Sequence, residues 1–166
     1  MKRFIVGLLF LAILHTGYAQ TEKITTFILV RHAEKASDGT NDPDLKPEGF
    51  KRAESFAVLF GKADITAIYS TNYKRTRNTV APLANAKGIT VETYAAMKVA
   101  ELQSLLTKHE GGTIVIAGHS NTIPEIANAL IGEKKVEQFG DDDYGNVLII
   151  SVTAIGETAK VTWLRY

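Results

Sequence analysis

The feature that most constrains this chain is a short apolar run that recurs between amphipathic stretches. Thr26-Phe27-Ile28-Leu29-Val30 and Thr113-Ile114-Val115-Ile116-Ala117 are nearly continuous in apolar residues, the pattern of a strand buried on both faces. Ile65-Thr66-Ala67-Ile68-Tyr69 reads as another such strand, and Ile89-Thr90-Val91 as a shorter one. Between them lie helical periods. Pro47 followed by Phe50, Ala53, Ala57 and Phe60 predicts a helix ending near Gly61. A second helix is expected from about Tyr73 to Ala86, interrupted or kinked near Pro82 and closed by Gly88. Val99, Leu102, Leu105 and Leu106 mark a third, stopped at Gly111-Gly112. Ile123, Ile126, Ala127, Leu130 and Ile131 form the stripe of a fourth. Residues 147–152 and 159–164 can pair as a hairpin through Gly156. Strands alternating with helices imply an α/β fold, a three-layer α/β/α sandwich. Its sheet is expected to be mostly parallel, with the C-terminal hairpin adding an antiparallel portion.

No linker breaks this rhythm, and 166 residues suit a single domain. The first nineteen residues stand apart. Lys2 and Arg3 precede an apolar run from Phe4 to Leu14, and Gly17-Tyr18-Ala19 offers small residues before Gln20. These are the parts of a secretory leader, and the run is shorter than the roughly twenty residues a membrane span needs. The expectation is a signal peptide over 1–19, cleaved after Ala19, and a domain over 20–166 in the periplasm or the medium. Setting 1–19 aside removes Lys2 and Arg3 from the 19 basic residues, leaving 17 against 18 acidic ones. A nearly neutral domain has no general field for nucleic acid or an anionic membrane, and stable membrane insertion is not expected once the leader is gone. With no cysteine present, disulfides, thiol chemistry and a lipid on cysteine are excluded. Any attraction for anions must be local.

Two arginines and two histidines fall where such a locus would form. The first strand runs into Arg31-His32, the second ends at Tyr69-Ser70-Thr71 shortly before Arg75, and the fourth ends at Gly118-His119-Ser120-Asn121. Open α/β sheets bind ligands in the crevice at the carboxyl ends of their strands. Guanidinium forks match phosphate oxygens two at a time. Phosphoryl transfer needs cations around three equatorial oxygens, and a neutral imidazole is a competent nucleophile toward phosphorus. Gly118 would let the backbone pass close to the bound group.

Each residue also has an ordinary structural explanation. Arg31 can pair with Glu34, Arg75 can belong to a solvated basic face with Lys74 and Arg77, and His119, Ser120 or Asn121 can cap the following helix. His109, among polar residues near a helix end, is assigned no role. A metal site competes, because His32-Ala33-Glu34 matches the His-x-Glu part of a zinc deaminase motif. Without cysteine and with three histidines after residue 19, the ligands for a usual zinc centre are too few.

Four blocks in order then resemble the histidine phosphatase superfamily, the phosphoglycerate-mutase-like group, in the form of a short exported bacterial-type member. Leu29-Val30-Arg31-His32-Ala33-Glu34 is similar to its Arg-His-Gly-Glu signature, with alanine for glycine. Leu45 to Ala53 resembles its L-x-x-x-G-x-x-x-A helix entry. Tyr69 to Thr79 resembles the segment carrying its second arginine, at Arg75. Gly118 to Pro124 resembles the block with its second histidine. The likeness runs from about residue 26 to the end, and Asp143-Tyr144 and Leu164-Arg165-Tyr166 share it. It implies a metal-free, cofactor-free reaction in which His32 attacks phosphorus and water then releases phosphate. Arg31, Arg75 and His119 would hold the oxygens. The substrate would be a small phosphorylated molecule, an ester or a phosphoramidate.

The residue after the second histidine, acidic in one branch, is Ser120 here. In the stretch after the third strand only Glu101 is offered as a proton donor, in a place where a glutamate favouring the helix dipole is equally at home. A chain without an acid would favour good leaving groups. The alternatives are a non-catalytic phosphoryl-binding module on the same fold, or a phosphomutase, which export and the short chain disfavour.

Overall fold

The computed structural model describes residues 22–95, 97–157 and 159–166, and the leader expected over 1–19 lies outside them. Six strands and four helices follow in the order β1 (Thr25–Arg31), α1 (Pro47–Phe60), β2 (Ala67–Ser70), α2 (Lys74–Lys87), β3 (Val91–Thr93), α3 (Val99–Lys108), β4 (Thr113–Gly118), α4 (Thr122–Ile131), β5 (Asn146–Val152) and β6 (Ala159–Arg165). The strands form one sheet in the order β3-β2-β4-β1-β5-β6. β1, β2, β3 and β4 are mutually parallel, while β5 pairs antiparallel with β1 and with β6. The mostly parallel sheet with an antiparallel C-terminal hairpin is therefore as expected.

Alternation along the strands decides the layers. Phe27, Leu29, Ile114, Ile116, Leu148 and Ile150 turn to one side, where α3 and α4 supply Leu102, Leu105, Ile126 and Leu130. Ile28, Val30, Ile68, Val115 and Val147 turn to the other, against Phe56, Phe60, Val80 and Leu83 of α1 and α2. Both faces of β1 and β4 are fully covered, which explains their unbroken apolar character.

Three boundaries differ from the expectation. α2 runs as one helix through Pro82. Gly88 ends it in a left-handed conformation (φ 65°), and the Ile89 N–H returns to the Ala84 carbonyl at 3.0 Å. Ile89 is thereby spent on closing the helix, and β3 begins two residues later than its apolar character suggests. β2 likewise starts at Ala67, because the Ile65 N–H bonds the Ala63 carbonyl in a tight turn (3.1 Å).

Two ties close the sheet's antiparallel side. Arg52 of α1 donates to both carboxylate oxygens of Glu34 (2.7–3.0 Å) and to the backbone carbonyl of Tyr166. Trp163 on β6 donates its indole N–H to Asn146 Oδ1 (3.0 Å) and packs on Phe139 with centroids 6.1 Å apart. The Phe139 N–H reaches the Ser120 carbonyl at 3.1 Å. Among the described residues no helix is long and apolar enough to cross a membrane.

Candidate active site

The central register brings the histidines together. Arg31 lies opposite Gly118 in the β1–β4 pair, and the His32 N–H donates to the Gly118 carbonyl at 2.9 Å. Each strand thus releases its histidine one residue beyond the same rung, and the rings meet edge to face with centroids 5.4 Å apart. On the other side of β4, Ser70 pairs with Ala117, so Thr71 emerges beside His119 with its hydroxyl 2.9 Å from Nε2. α2 starts three residues later and carries Arg75 in its first turn. His32, His119, Arg31 and Arg75 line one cavity of about 840 Å³, with Lys35 and Lys46 also on its wall.

The arginines are held by the protein through part of their forks. Arg31 is buried, and its Nη1 donates to the carbonyls of Gly140 (2.6 Å) and Asp143 (3.2 Å) and its Nη2 to that of Asp141 (2.8 Å). Its guanidinium lies 4.4 Å over the Tyr144 ring. Arg75 lies 4.4 Å over the Tyr73 ring, and its Nη1 is 3.9 Å from Asp42 Oδ1. The same Asp42 oxygen accepts the Lys74 N–H at 3.0 Å, which locks the start of α2. In both arginines the buried Nε–H has no partner. Buried guanidinium donors are expensive to leave unpaired, and both arginines line the cavity that His32 and His119 border.

The His32 ring is held in one tautomer. Its Nδ1 lies 2.8 Å from the Ala33 carbonyl, which can only accept, so Nδ1 bears the hydrogen and Nε2 keeps its lone pair. Burial first, then the charges of Arg31, His119 and Arg75, lower its pKa to about 3 against the hydrogen bond's opposing pull. Burial and then Arg75 and Arg31 lower His119 to about 4. Both rings are neutral near pH 7. The Ala33 N–H donates to Thr79 Oγ1 (2.9 Å), which donates to the Arg75 carbonyl (2.7 Å), so the nucleophile's loop and the arginine's helix are tied at one hydroxyl. Behind them Ala33, Leu45 and Ala53 form a small core of their own.

The other sequence candidates sit elsewhere. Glu101 is exposed in the first turn of α3 and lines neither cavity that His119 borders. His109 is held by the Tyr69 hydroxyl at 3.0 Å, at the far end of α3. Glu34 pairs with Arg52 instead of Arg31. Arg75 is only 14% exposed, whereas Lys74 is solvated. Neither Ser120 nor Asn121 caps α4 with its side chain; the Thr122 hydroxyl instead accepts the His119 N–H at 2.9 Å. Gly118 serves packing. A Cβ there would lie 2.8 Å from both the Thr122 and the Tyr94 hydroxyls, so the glycine admits Tyr94 and α4. Thr71, Tyr73, Asp42 and the 140–143 carbonyls were not singled out from sequence, because hydroxyl, ring and backbone groups gain meaning only through what they touch.

Comparison with known proteins adds a fold and a family match over part of the chain. Residues 27–98 match the profile of the histidine phosphatase superfamily (branch 1), which supports that superfamily and spans the nucleophile and second-arginine blocks. No curated protein matches. Among solved structures, the protein histidine phosphatase SixA in complex with tungstate is similar, with a TM-score of 0.69, 14% identity, and coverage of 84% of this chain and 96% of that one. A mycobacterial glucosyl-3-phosphoglycerate phosphatase with inorganic phosphate follows at 0.65 and 14%, covering 85% and 97%. YhfR of Bacillus stearothermophilus follows at 0.61 and 17%, covering 81% and 98%. At these identities the likeness is one of fold, and it establishes the phosphoglycerate-mutase-like α/β architecture for this chain.

Proposed function

We propose that this chain is a histidine phosphatase, which takes a phosphoryl group from a small phosphate ester or phosphoramidate onto His32 and passes it to water. The observation that carries the reading is the convergence of Arg31, Arg75 and His119 around His32 on the wall of one cavity, with the two imidazole centroids 5.4 Å apart. A loose phosphoryl transition state spreads charge over three oxygens, and fixed donors that need not reorganise stabilise it best. Nε2 of His32 has its lone pair ready because Nδ1 is engaged. In the first step the Nε2–P bond forms as the bond from phosphorus to the leaving atom breaks. In the second, water attacks phosphorus and His32 leaves with its lone pair restored.

With Glu101 outside the cavities, no dedicated acid is assigned, and the reading favours leaving groups that depart without one. Solved structures of this fold include a protein histidine phosphatase and a sugar-phosphoglycerate phosphatase, so both phosphoramidate and ester substrates belong in the test. Export to the periplasm or the medium is part of the same proposal and rests on the leader-like residues 1–19.

The test is His32→Ala against the wild type with an activated aryl phosphate. Loss of the nucleophile is expected to lower kcat/KM on the order of 10³-fold or more, and radiolabelled substrate should leave an acid-labile, base-stable phosphoenzyme in the wild type alone. Phosphate binding without turnover at any pH would assign the chain instead as a phosphoryl-binding module.

A further inference from the structure

A second cavity, of about 850 Å³, begins where the anion site ends. His119 lines both. The partition between them is Tyr73, whose ring packs edge-on against His119 (5.2 Å) and carries the Arg75 guanidinium on its face. Beyond that partition the walls are Tyr73, Tyr94, Met97 and Ile126. Tyr94 is fixed by its hydroxyl on the Ala117 carbonyl (3.0 Å), and Ile126 is fully buried in the core. The charged residues on its wall are Glu125, Lys98 and Asp42, the last already 3.9 Å from Arg75 Nη1. The lysines near the nucleophile, Lys35 and Lys46, border the first cavity only.

We propose that this second cavity is the leaving-group subsite, and that it selects a flat, uncharged aromatic leaving group over an anionic one. This rests on the phosphatase reading above. A phosphoryl group held by Arg75 beside His119 has Tyr73 as a neighbour, and a substituent passing that ring enters apolar walls. Aromatic rings favour tilted or offset partners at such distances, and a site of this size and lining is of the kind that buries a small organic molecule. Asp42 is engaged by Arg75 and the Lys74 N–H, so the remaining charges, Glu125 and Lys98, cancel and leave no surplus cation for a second phosphate or carboxylate, which disfavours bisphosphates and phosphorylated acids relative to an uncharged group. The choice suits the chemistry, since a phenolate departs with less help from an acid than an alkoxide does.

Met97 is the wall residue to change, because it is half-buried and packs at the edge of the core. Met97→Trp fills the cavity. It should lower kcat/KM for 2-naphthyl phosphate about tenfold and leave acetyl phosphate, whose leaving group is small, within about twofold. Should the tryptophan variant fail to fold by circular dichroism, Met97→Ala removes the wall and should lower the naphthyl ester alone, by about threefold. Equal losses on both substrates, or a wild type that prefers 3-phosphoglycerate to the naphthyl ester, would overturn the subsite and leave the phosphatase reading standing. Hydrolysis of neither substrate by the wild type would sink the phosphatase reading instead. The subsite is then decided by calorimetry with naphthylmethylphosphonate, whose affinity must still fall in Met97→Trp.

Discussion

At the scale of single residues, the two site histidines are oriented by different means. His32 gives its Nδ1 hydrogen to a carbonyl, whereas His119 meets a chain of hydroxyls. Its Nε2 is 2.9 Å from Thr71 Oγ1, which is 2.8 Å from Thr76 Oγ1. Thr76 donates to the Tyr73 carbonyl at 2.9 Å, so Thr71 donates to Thr76 and accepts from an Nε2–H on His119. Thr76→Val takes away that acceptor and frees the Thr71 hydroxyl to turn toward the ring, reversing the His119 tautomer. The expected loss in kcat/KM is about tenfold, the worth of one such hydrogen bond, with Thr76→Ser restoring activity. Nitrogen-15 chemical shifts of His119 report the tautomer directly, and shifts identical in wild type and Thr76→Val would contradict the relay. The four charged and imidazole side chains were legible in the sequence because each follows a strand end. Thr71 and Thr76 were not, since a buried threonine on a helix start has many ordinary uses. The carbonyls that hold Arg31 have no side-chain signature at all.

At the scale of elements, the helix entry Leu45, Gly49, Ala53 acquires a physical cause. Leu45 and Ala53 pack on Ala33, directly behind the nucleophile. Gly49 lies so close to β1's continuation that a Cβ there would sit 2.3 Å from the Glu34 carbonyl oxygen. Since that neighbour is backbone, Gly49→Ala must push α1 away from the loop that aims His32. The expected cost is roughly 2–4 kcal/mol in chemical denaturation, with kcat falling more than KM rises. A stability equal to the wild type's would show that α1 does not rest on this contact. Helix α1 was legible to both its ends because proline, period and glycine agree there. β3 was not, because the Ile89 side chain packs on the α1 and α2 side of the core while its N–H closes α2 instead of joining the sheet.

At the scale of the whole molecule, two neutral imidazoles, His32 buried and His119 half-buried, make the fold sensitive to acid. Their pKa values, about 3 for His32 and about 4 for His119, lie below the ordinary value near 6.5 that the unfolded chain regains. The unfolded chain therefore binds protons first, so stability is full above about pH 6.5 and declines as pH falls toward the folded values. Glu34, held below the usual carboxylate range by its hydrogen bonds from Arg52, adds its loss further down. Between pH 7 and 4.5 the unfolding free energy should drop by roughly 2–3 kcal/mol for His32. His32→Asn should flatten that slope, and an unchanged slope in the variant would mean the ring is already charged in the folded protein. Added phosphate should raise Tm at neutral pH, as any ligand of the folded state does.

The molecule also carries its own optical gauge. Its single tryptophan leans on Phe139, which is anchored to the residue after His119 and begins the loop whose carbonyls clasp Arg31. Neutralising Arg31 with a bound anion is expected to change the load on that loop, and a phosphate titration that leaves the intrinsic emission unchanged would show that the indole and the arginine are uncoupled.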